Sequence, residues 1–385
     1  MAEAGRMKIC FICGEYPPAL HGGIGSMTRL LGGSLARAGH EVRVIGVYPS
    51  LASLVEFEED AGVRVYRIAE DEGRFGWARS RRRLFRIVAD WAQRGEIDLV
   101  EVPDWEGHAA GWPSLPVPVV TRLHGSITYF THEMHQPFHW PAYCIEAASF
   151  HRADFCCSTS EYTAQRTNRL FGPRLRPVAV LFNPVEVEPR PPVCRSEQRV
   201  VFAGTLTAKK GVVSLMEAWP LVLARKSDAE LHLFGKDAGD GKGGAMRDLL
   251  MSILPREQAE TVHFHGHVSR ERLQKEFREC AVAVFPSFAE AFSLAPMEAM
   301  AEGCPVIYSK RGSGPELIEH GVNGLLVDPA RPAEIAESIL LLLEDVSRRA
   351  RLGAAGCGTV NERFSSAVLT ARNAEFYEDC VSRHA

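Results

Sequence analysis

Phe285-Pro286-Ser287-Phe288-Ala289-Glu290-Ala291-Phe292-Ser293-Leu294-Ala295-Pro296-Met297-Glu298-Ala299-Met300-Ala301-Glu302-Gly303-Cys304-Pro305-Val306 is the stretch on which the reading of this chain turns. The apolar run Ala281–Phe285 reads as a buried strand that stops at Pro286. A short loop then carries Glu290, and a helix starting near Pro296 carries Glu298. A carboxylate in the first turn of a helix can be there only to complement the helix dipole, so Glu298 alone has two readings. Glu290, in a loop before an apolar run, is harder to assign to packing. Two carboxylates eight positions apart beside free helix amides suit a ligand that presents both vicinal hydroxyls and phosphate.

Working outward, the same strand–turn–helix rhythm repeats along the chain. The first half offers strands at Ile9–Cys13, Val42–Tyr48, Val63–Ile68, Asp98–Val102, Val117–Leu123, Phe155–Ser158 and Val178–Phe182, with amphipathic segments such as Ser26–Ala38, Arg81–Ala92 and Ser160–Leu170 between them. The proline-rich Pro189–Cys194 can continue neither a helix nor a central strand and is placed as a linker. After it the rhythm restarts at Arg199–Ala203, Glu230–Phe234, Val262–His265, Ala281–Phe285, Val306–Tyr308 and Gly324–Val327. Ser365–Val381 reads as a last helix. The expectation is an α/β chain of two Rossmann-like, doubly wound domains with a cleft between them. Their bounds are set at residues 1–190 and 191–364, with the helix of 365–385 packing back on the first. Ligands of such sheets bind outside the carboxyl ends of the strands, so each strand-to-helix turn is a candidate site.

Three further turns have unusual content. Gly14–Ser26 contains Gly22-Gly23-Ile24-Gly25 just before a helix, which reads equally as an anion or acceptor loop and as a tight turn. It lacks the spaced glycines of a dinucleotide fold, which argues against a nicotinamide dehydrogenase. Val119–Leu123 ends in His124-Gly125, where a histidine can donate to phosphate or sugar hydroxyl, or can be satisfied by local backbone. Arg199–Ala203 ends in Gly204-Thr205, with Lys209 and Lys210 ahead of the next helix. Lysine ammonium with helix amides suits a diphosphate; a solvated lysine pair is the plainer reading.

Composition narrows the class. Of 385 residues 46% are hydrophobic and 24% charged, with a formal net charge of -4, so no global field favours nucleic acid. Ten cysteines in a chain of this length need no disulfide framework and fit a reducing cytoplasm. Cys10 and Cys13 lie in the first strand and read as buried residues rather than a redox pair. No stretch approaches the roughly 18 to 20 apolar residues that span a bilayer, and the amino terminus lacks the apolar core of a signal peptide. Arg79-Ser80-Arg81-Arg82-Arg83-Leu84-Phe85-Arg86 is a basic run with two readings, a solvated helix face or a peripheral contact with the inner face of the membrane. His132, Glu133, His135 and His139 crowd one loop without the spacing of a zinc helix, so no metal is expected there.

Taken together, Glu290 and Glu298 followed by Ala-Met-Ala-x-Gly-x-Pro-Val, His124-Gly125, Ser158-Thr159-Ser160, Asn183-Pro184, Lys210-Gly211, Gly266-His267-Val268, Gly314-Pro315-Glu316 and Asn323-Gly324 resemble glycosyltransferase family four. This is the large retaining class with the two-domain GT-B fold. The resemblance runs from the Gly22 loop to Pro329. It implies a hexose or hexosamine transferase that needs no metal or other cofactor and uses a nucleotide diphosphate sugar, with UDP favoured because such donors are common among similar proteins. The acceptor would be a glycan, a lipid-linked sugar or a small natural product. Carried over by residue, Glu290 would hold sugar hydroxyls, Glu298 the ribose, and Lys210 the diphosphate with Lys209 and the backbone of Ser293 and Leu294. Gly22, Gly23 and Gly25 would close over the donor phosphates or border the acceptor, and His124 would sit near the sugar and leaving phosphate. The backbone of His267 and Val268 would read the base, while Thr205, Gly235 and Phe292 complete the donor set. Tyr16, Trp105 and Tyr129 are candidates to touch the acceptor. Catalysis would rest on His124, Lys210 and Glu290. Thr205 stands where similar enzymes commonly have arginine, and Ala291 and Ser293 where glycines are frequent. An epimerase of the same fold, and a binding protein that has lost catalysis, are the alternatives.

Overall fold

In the computed structural model, which describes residues 6–19, 22–49, 51, 55–188, 193 and 195–384, the chain divides into two units. One comprises Met1–Pro184 with Ser366–Ala385, the other Val185–Ser365. Apart from Val193, the proline-rich segment read as a linker lies outside the described residues.

The first unit is built on strands β1 (Lys8–Ile12), β2 (Glu41–Tyr48), β3 (Val55–Asp60), β4 (Val63–Ala69), β5 (Leu99–Pro103), β6 (Val119–Leu123), β7 (Phe155–Ser158) and β8 (Ala179–Val180). Their order is β3-β4-β2-β1-β5-β6-β7-β8, parallel except for β3 against β4. Residues of β1 are buried on both faces: Ile9 and Phe11 join one apolar cluster, Cys10 and Ile12 another. A strand covered on both sides is what a parallel sheet requires, hence the continuous apolar run. Cys13 shares the cluster of Phe11, so the two cysteines face opposite sides of the sheet, and burial pushes both thiols up to about 12. Strand β3, absent from the expectation, is closed onto β4 by Ala61 and Gly62, both at positive φ (52° and 82°). That is the two-residue turn whose twist matches a hairpin, made here with alanine instead of asparagine.

The last helix, Ser366–His384, belongs to the first unit. Its Ala374, Tyr377 and Cys380 share a core cluster with Ile9, Phe11 and Val120. Arg122, 1% exposed, forks onto Glu101 at 2.7 and 2.9 Å and also donates to Asn373 and to Tyr377.

The second unit contains β9 (Arg199–Ala203), β10 (Glu230–Phe234), β11 (Val262–Gly266), β12 (Val282–Phe285), β13 (Val306–Ser309) and β14 (Leu325–Val327), all parallel in the order β11-β10-β9-β12-β13-β14. In each sheet the strand order reverses beside the unit's first strand, between β1 and β5 and between β9 and β12. Those reversals open the crevices where such folds take ligands.

The helix Gly76–Gln93 carries the basic run, and its cations are partly spent internally. Arg79 donates to the Glu72 carbonyl and Arg83 pairs with Asp71. Arg81 donates to the Glu106 and Gly107 carbonyls and lies over the Trp77 ring. Arg82 and Arg86 stay exposed, so the cationic face is thinner than the sequence spells. Among the described residues no helix is long and apolar enough to cross a membrane.

Candidate active site

At the switch point of the second sheet three backbone turns meet. Gly211, at φ 73°, follows Lys210, and a Cβ there would fall 1.8 Å from the Pro286 carbonyl oxygen. At Gly235 a Cβ would fall 1.9 Å from the Gly204 carbonyl oxygen. Glycine is required at both because main chain packs on main chain, which draws the ends of β9, β10 and β12 together. Across this junction Lys210 Nζ lies 2.6 Å from Glu290 Oε1, and the Phe288 amide donates to the Lys209 carbonyl at 2.8 Å. Burial alone would push the Glu290 carboxyl up, but the charges of Lys210 and Lys209 outweigh it and hold it below the usual carboxylate range. Glu290 is therefore an anion at neutral pH. Burial lowers the Lys209 ammonium, which Glu290 partly restores.

The helix Leu294–Ala301 starts just beyond, with Ser293 as an N-cap whose side chain caps nothing. Its first amides thus lack an intrahelical partner, and Pro296 in the first turn has no amide to satisfy. Glu298, on this helix, lies 3.6 Å from Arg270 Nε, and Arg270 also holds Glu186 at 2.5 Å. Burial raises the Glu298 carboxyl and Arg270 opposes it. Arg270 was not singled out in the sequence; a helix-start arginine gives no signal until the fold brings it to Glu298. Thr205 is half-buried at the end of β9, and His267 is exposed beside half-buried Val268, just before the helix Arg270–Glu279. The Phe292 ring packs on Phe364 with centroids 5.6 Å apart, so the ring serves packing.

In the first unit, the amides of Gly22 and Gly25 are taken by the chain's own Glu15, at 3.2 and 2.7 Å. A carboxylate thus sits at the start of the helix Gly23–Arg37, where the dipole favours an anion. Gly23 lies beside it with open space at its Cβ position. Tyr16 is fully buried, donating its hydroxyl to Asp60 at 2.9 Å, and Tyr129 is fully buried edge-on to Phe130. Both rings serve packing, which corrects their reading as acceptor contacts; Trp105, 38% exposed, still presents a surface.

His124 and Asp104 end the adjacent strands β6 and β5, and the His124 amide donates to Asp104 Oδ1 at 2.8 Å. Burial, helped by Arg122, lowers the His124 imidazole to about 3, so it is neutral and can donate or accept one hydrogen bond. Burial pushes Asp104 up to about 7 against the pull of the His124 and Gly125 amides. Its Oδ2 is buried without a partner. Because this carboxyl is raised above its ordinary 3.8, its ionisation costs folding free energy that grows as pH climbs from 4 to 7. The full difference is on the order of 4 kcal/mol. Asp104→Asn should abolish that part of the pH dependence, so that wild type and variant diverge from pH 4 to pH 8 in urea melts. Parallel curves would show that Asp104 ionises freely.

The loop of His132, Glu133, His135 and His139 gathers no ligand set. Glu133 is held by Arg166 and Tyr162, and the His139 side chain caps the helix Trp140–Arg152.

Residues 21–189 match the family model described as Glycosyltransferase Family 4, and residues 197–345 that described as Glycosyl transferases group 1. A glycosyltransferase of Methanocaldococcus jannaschii is 28% identical over 88% of this chain and 90% of its own length. Glycogen synthase of Mycobacterium tuberculosis is 26% identical over 90% of this chain and 89% of its own. Among solved structures, sucrose-phosphate synthase from Thermosynechococcus elongatus superposes with a TM-score of 0.83 at 20% identity, over 98% of this chain and 100% of that one. Anabaena HepE in complex with UDP and glucose does so with a TM-score of 0.76 at 20% identity, over 97% and 100%. These likenesses show the two-domain, Rossmann-like GT-B fold.

Proposed function

The chain belongs to glycosyltransferase family four, and from that premise we propose that it is a retaining, metal-independent enzyme using a nucleotide diphosphate sugar. The donor is a UDP-hexose or UDP-hexosamine, and the acceptor is a hydroxyl of a glycan, a lipid-linked sugar or a small natural product. The observation that carries this reading is the Lys210–Glu290 pair at the switch point of the second sheet, beside unpaired helix amides. A diphosphate needs a cation and amides, a sugar needs a hydroxyl acceptor, and two adjoining turns, after β9 and after β12, bring all three together. The complex of HepE with UDP and glucose supports the choice of nucleobase.

Lys210 and the amides of Ser293 and Leu294 stabilise charge that builds on the leaving diphosphate, which makes a divalent ion unnecessary. Glu290 accepts from sugar hydroxyls and Glu298 from the ribose. Both carboxylates face cations, Lys210 and Arg270, so neither is free to act as a base. The leaving phosphate then takes the proton of the attacking hydroxyl on the same face, and configuration is kept.

The test is a thermal-shift and calorimetric panel of UDP, GDP, ADP and their sugar conjugates on wild type and Glu298→Ala. UDP and a UDP-sugar should stabilise the wild type, with affinity at least about tenfold weaker in the variant, since a hydrogen bond to a charged group is lost. No response to any nucleotide from folded protein would sink the reading. With the donor known, the product anomer by NMR and the transfer rate in excess chelator check retention and metal independence. Donor turnover without acceptor would point to the epimerase instead.

A further inference from the structure

The outer strands of the second sheet carry chemistry on the face turned away from their core. β10 and β11 pair in parallel with Leu231 opposite Val262 and His232 opposite His263. Leu231, Leu233 and Val262 enter the apolar cluster, with Phe264 packed against it. By alternation, Glu230, His232, His263 and His265 project from the other face. There the His232 and His263 rings are 4.7 Å apart, and His232 stacks on His265 at 5.1 Å. His232 Nε2 lies 3.3 Å from Glu230 Oε2, and its Nδ1 lies 2.9 Å from His265 Nε2. One ligand atom each from Glu230, His232 and His263 all fall within 4.8 Å of one another, the one such metal-competent group among the described residues.

We propose that Glu230, His232 and His263 bind a single divalent transition-metal ion, zinc by preference, with His265 positioning the His232 ring. Two imidazoles and a carboxylate form a borderline donor set that suits zinc and its neighbours and disfavours magnesium and calcium, which take oxygen ligands. His232 Nε2, the nitrogen facing Glu230, is the ligating atom. Nδ1 then keeps its proton and donates to His265 Nε2, the outer hydrogen bond that fixes a metal-binding histidine in one tautomer. Edge strands often bear polar side chains that discourage pairing with another chain, and His263 and His265 on the edge strand β11 fit that role alone. It does not explain why His232, only 9% exposed, is enclosed by two further imidazoles. The cluster sits on the face of the sheet, ahead of the Gly235 turn, and so lies apart from Lys210 and Glu290 along the strands. The ion would pin the edge strand β11 to β10 and take no part in transfer.

The test uses the full chain freed of metal by dialysis against chelator, then titrated with Zn²⁺ by calorimetry and with Co²⁺ by visible absorption. Wild type should bind one equivalent with a rise in melting temperature, and Co²⁺ should show the intense ligand-field bands of a low-coordinate nitrogen and oxygen site. His263→Gln should weaken binding at least about tenfold, and His265→Gln by about 10- to 100-fold. His132→Gln/His135→Gln, in the other histidine-rich loop, should leave affinity unchanged. Metal-free melts of each variant establish folding. Equal affinity in wild type and His263→Gln, or no saturable binding by wild type, would overturn the proposal. Neither outcome bears on nucleotide binding, which is read separately.

Discussion

Lys210→Ala is expected to lower the turnover number for sugar transfer roughly 100- to 1,000-fold, with a smaller change in the KM for donor. The asymmetry follows from when the charge appears. In the proposed donor the diphosphate already carries negative charge, and part of its binding would come from the helix amides beside Ser293. On leaving, that diphosphate would gain further charge, and an ammonium fixed in place by Glu290 at 2.6 Å would meet it without reorganising. Removing Lys210 also leaves Glu290 in a half-buried site with Lys209 as its remaining near cation, so its carboxyl rises back toward neutrality. In the wild type the sign is the reverse: Glu290 is depressed, so the pair is intact at neutral pH and is lost only as pH falls through the depressed value. Steady-state kinetics with Lys210→Ala and Glu290→Gln separate the two roles. Glu290→Gln keeps the shape of the acceptor and should cost less than Lys210→Ala if charge on the diphosphate dominates. A turnover number within about threefold of wild type for Lys210→Ala would remove the lysine from the chemistry.

Arg122→Met is expected to destabilise the first unit by about 3 to 5 kcal/mol. The guanidinium is buried and spends its donors on Glu101, Asn373, Tyr377 and the Leu181 carbonyl. Tyr377 donates to the same Glu101 at 2.7 Å. Taking the arginine away strands a carboxylate, 3% exposed, in the core, and the desolvation cost is no longer offset. Arg122→Met with Glu101→Leu should recover much of the loss, because an apolar pair of similar volume leaves no unpaired charge. Urea melts give the magnitude. Hydrogen exchange locates it: protection should fall in β5, β6 and the helix Ser366–His384 and persist in β9 to β14. A loss under about 1 kcal/mol for the single variant would mean that water or rearrangement satisfies Glu101.

The candidate site of the second unit was legible because its parts are local. Glu290, Ser293 and Leu294 lie within one turn, and Lys210 lies in the turn after the strand Arg199–Ala203 and Gly204, which any reading of the alternating pattern locates. The first unit was less so. Tyr16 and Tyr129 were acceptor candidates only through the family resemblance, yet a tyrosine with one polar atom to satisfy packs as readily inward. The Gly22 loop looked ready for phosphate, and the chain fills two of its amides with Glu15, seven and ten residues back. The burial of Asp104 beside His124 depends on β5 and β6 being neighbours.

From sequence alone came the α/β class, the restart of the rhythm in the second half, most strand positions, the glycosyltransferase family, and Lys210 and Glu290 as separate candidates in two turns. The class, the rhythm, the strands and the two candidates rest on periodicity and turn chemistry within a few residues, where backbone sterics and side-chain polarity act directly, while the family rests on a resemblance of motifs spread from the Gly22 loop to Pro329. Tertiary structure decided the antiparallel β3, the docking of the last helix through Arg122, the Arg270–Glu298 pair and the histidine cluster of β10 and β11. All four depend on which strands or helices become neighbours and in what register. Asn373 meets Arg122 across 251 residues of chain, and His232 meets His263 because one strand pairs with the next in that register and no other. Such pairings are chosen by the packing of whole sheets, where a one-residue slip would turn every side chain to the opposite face.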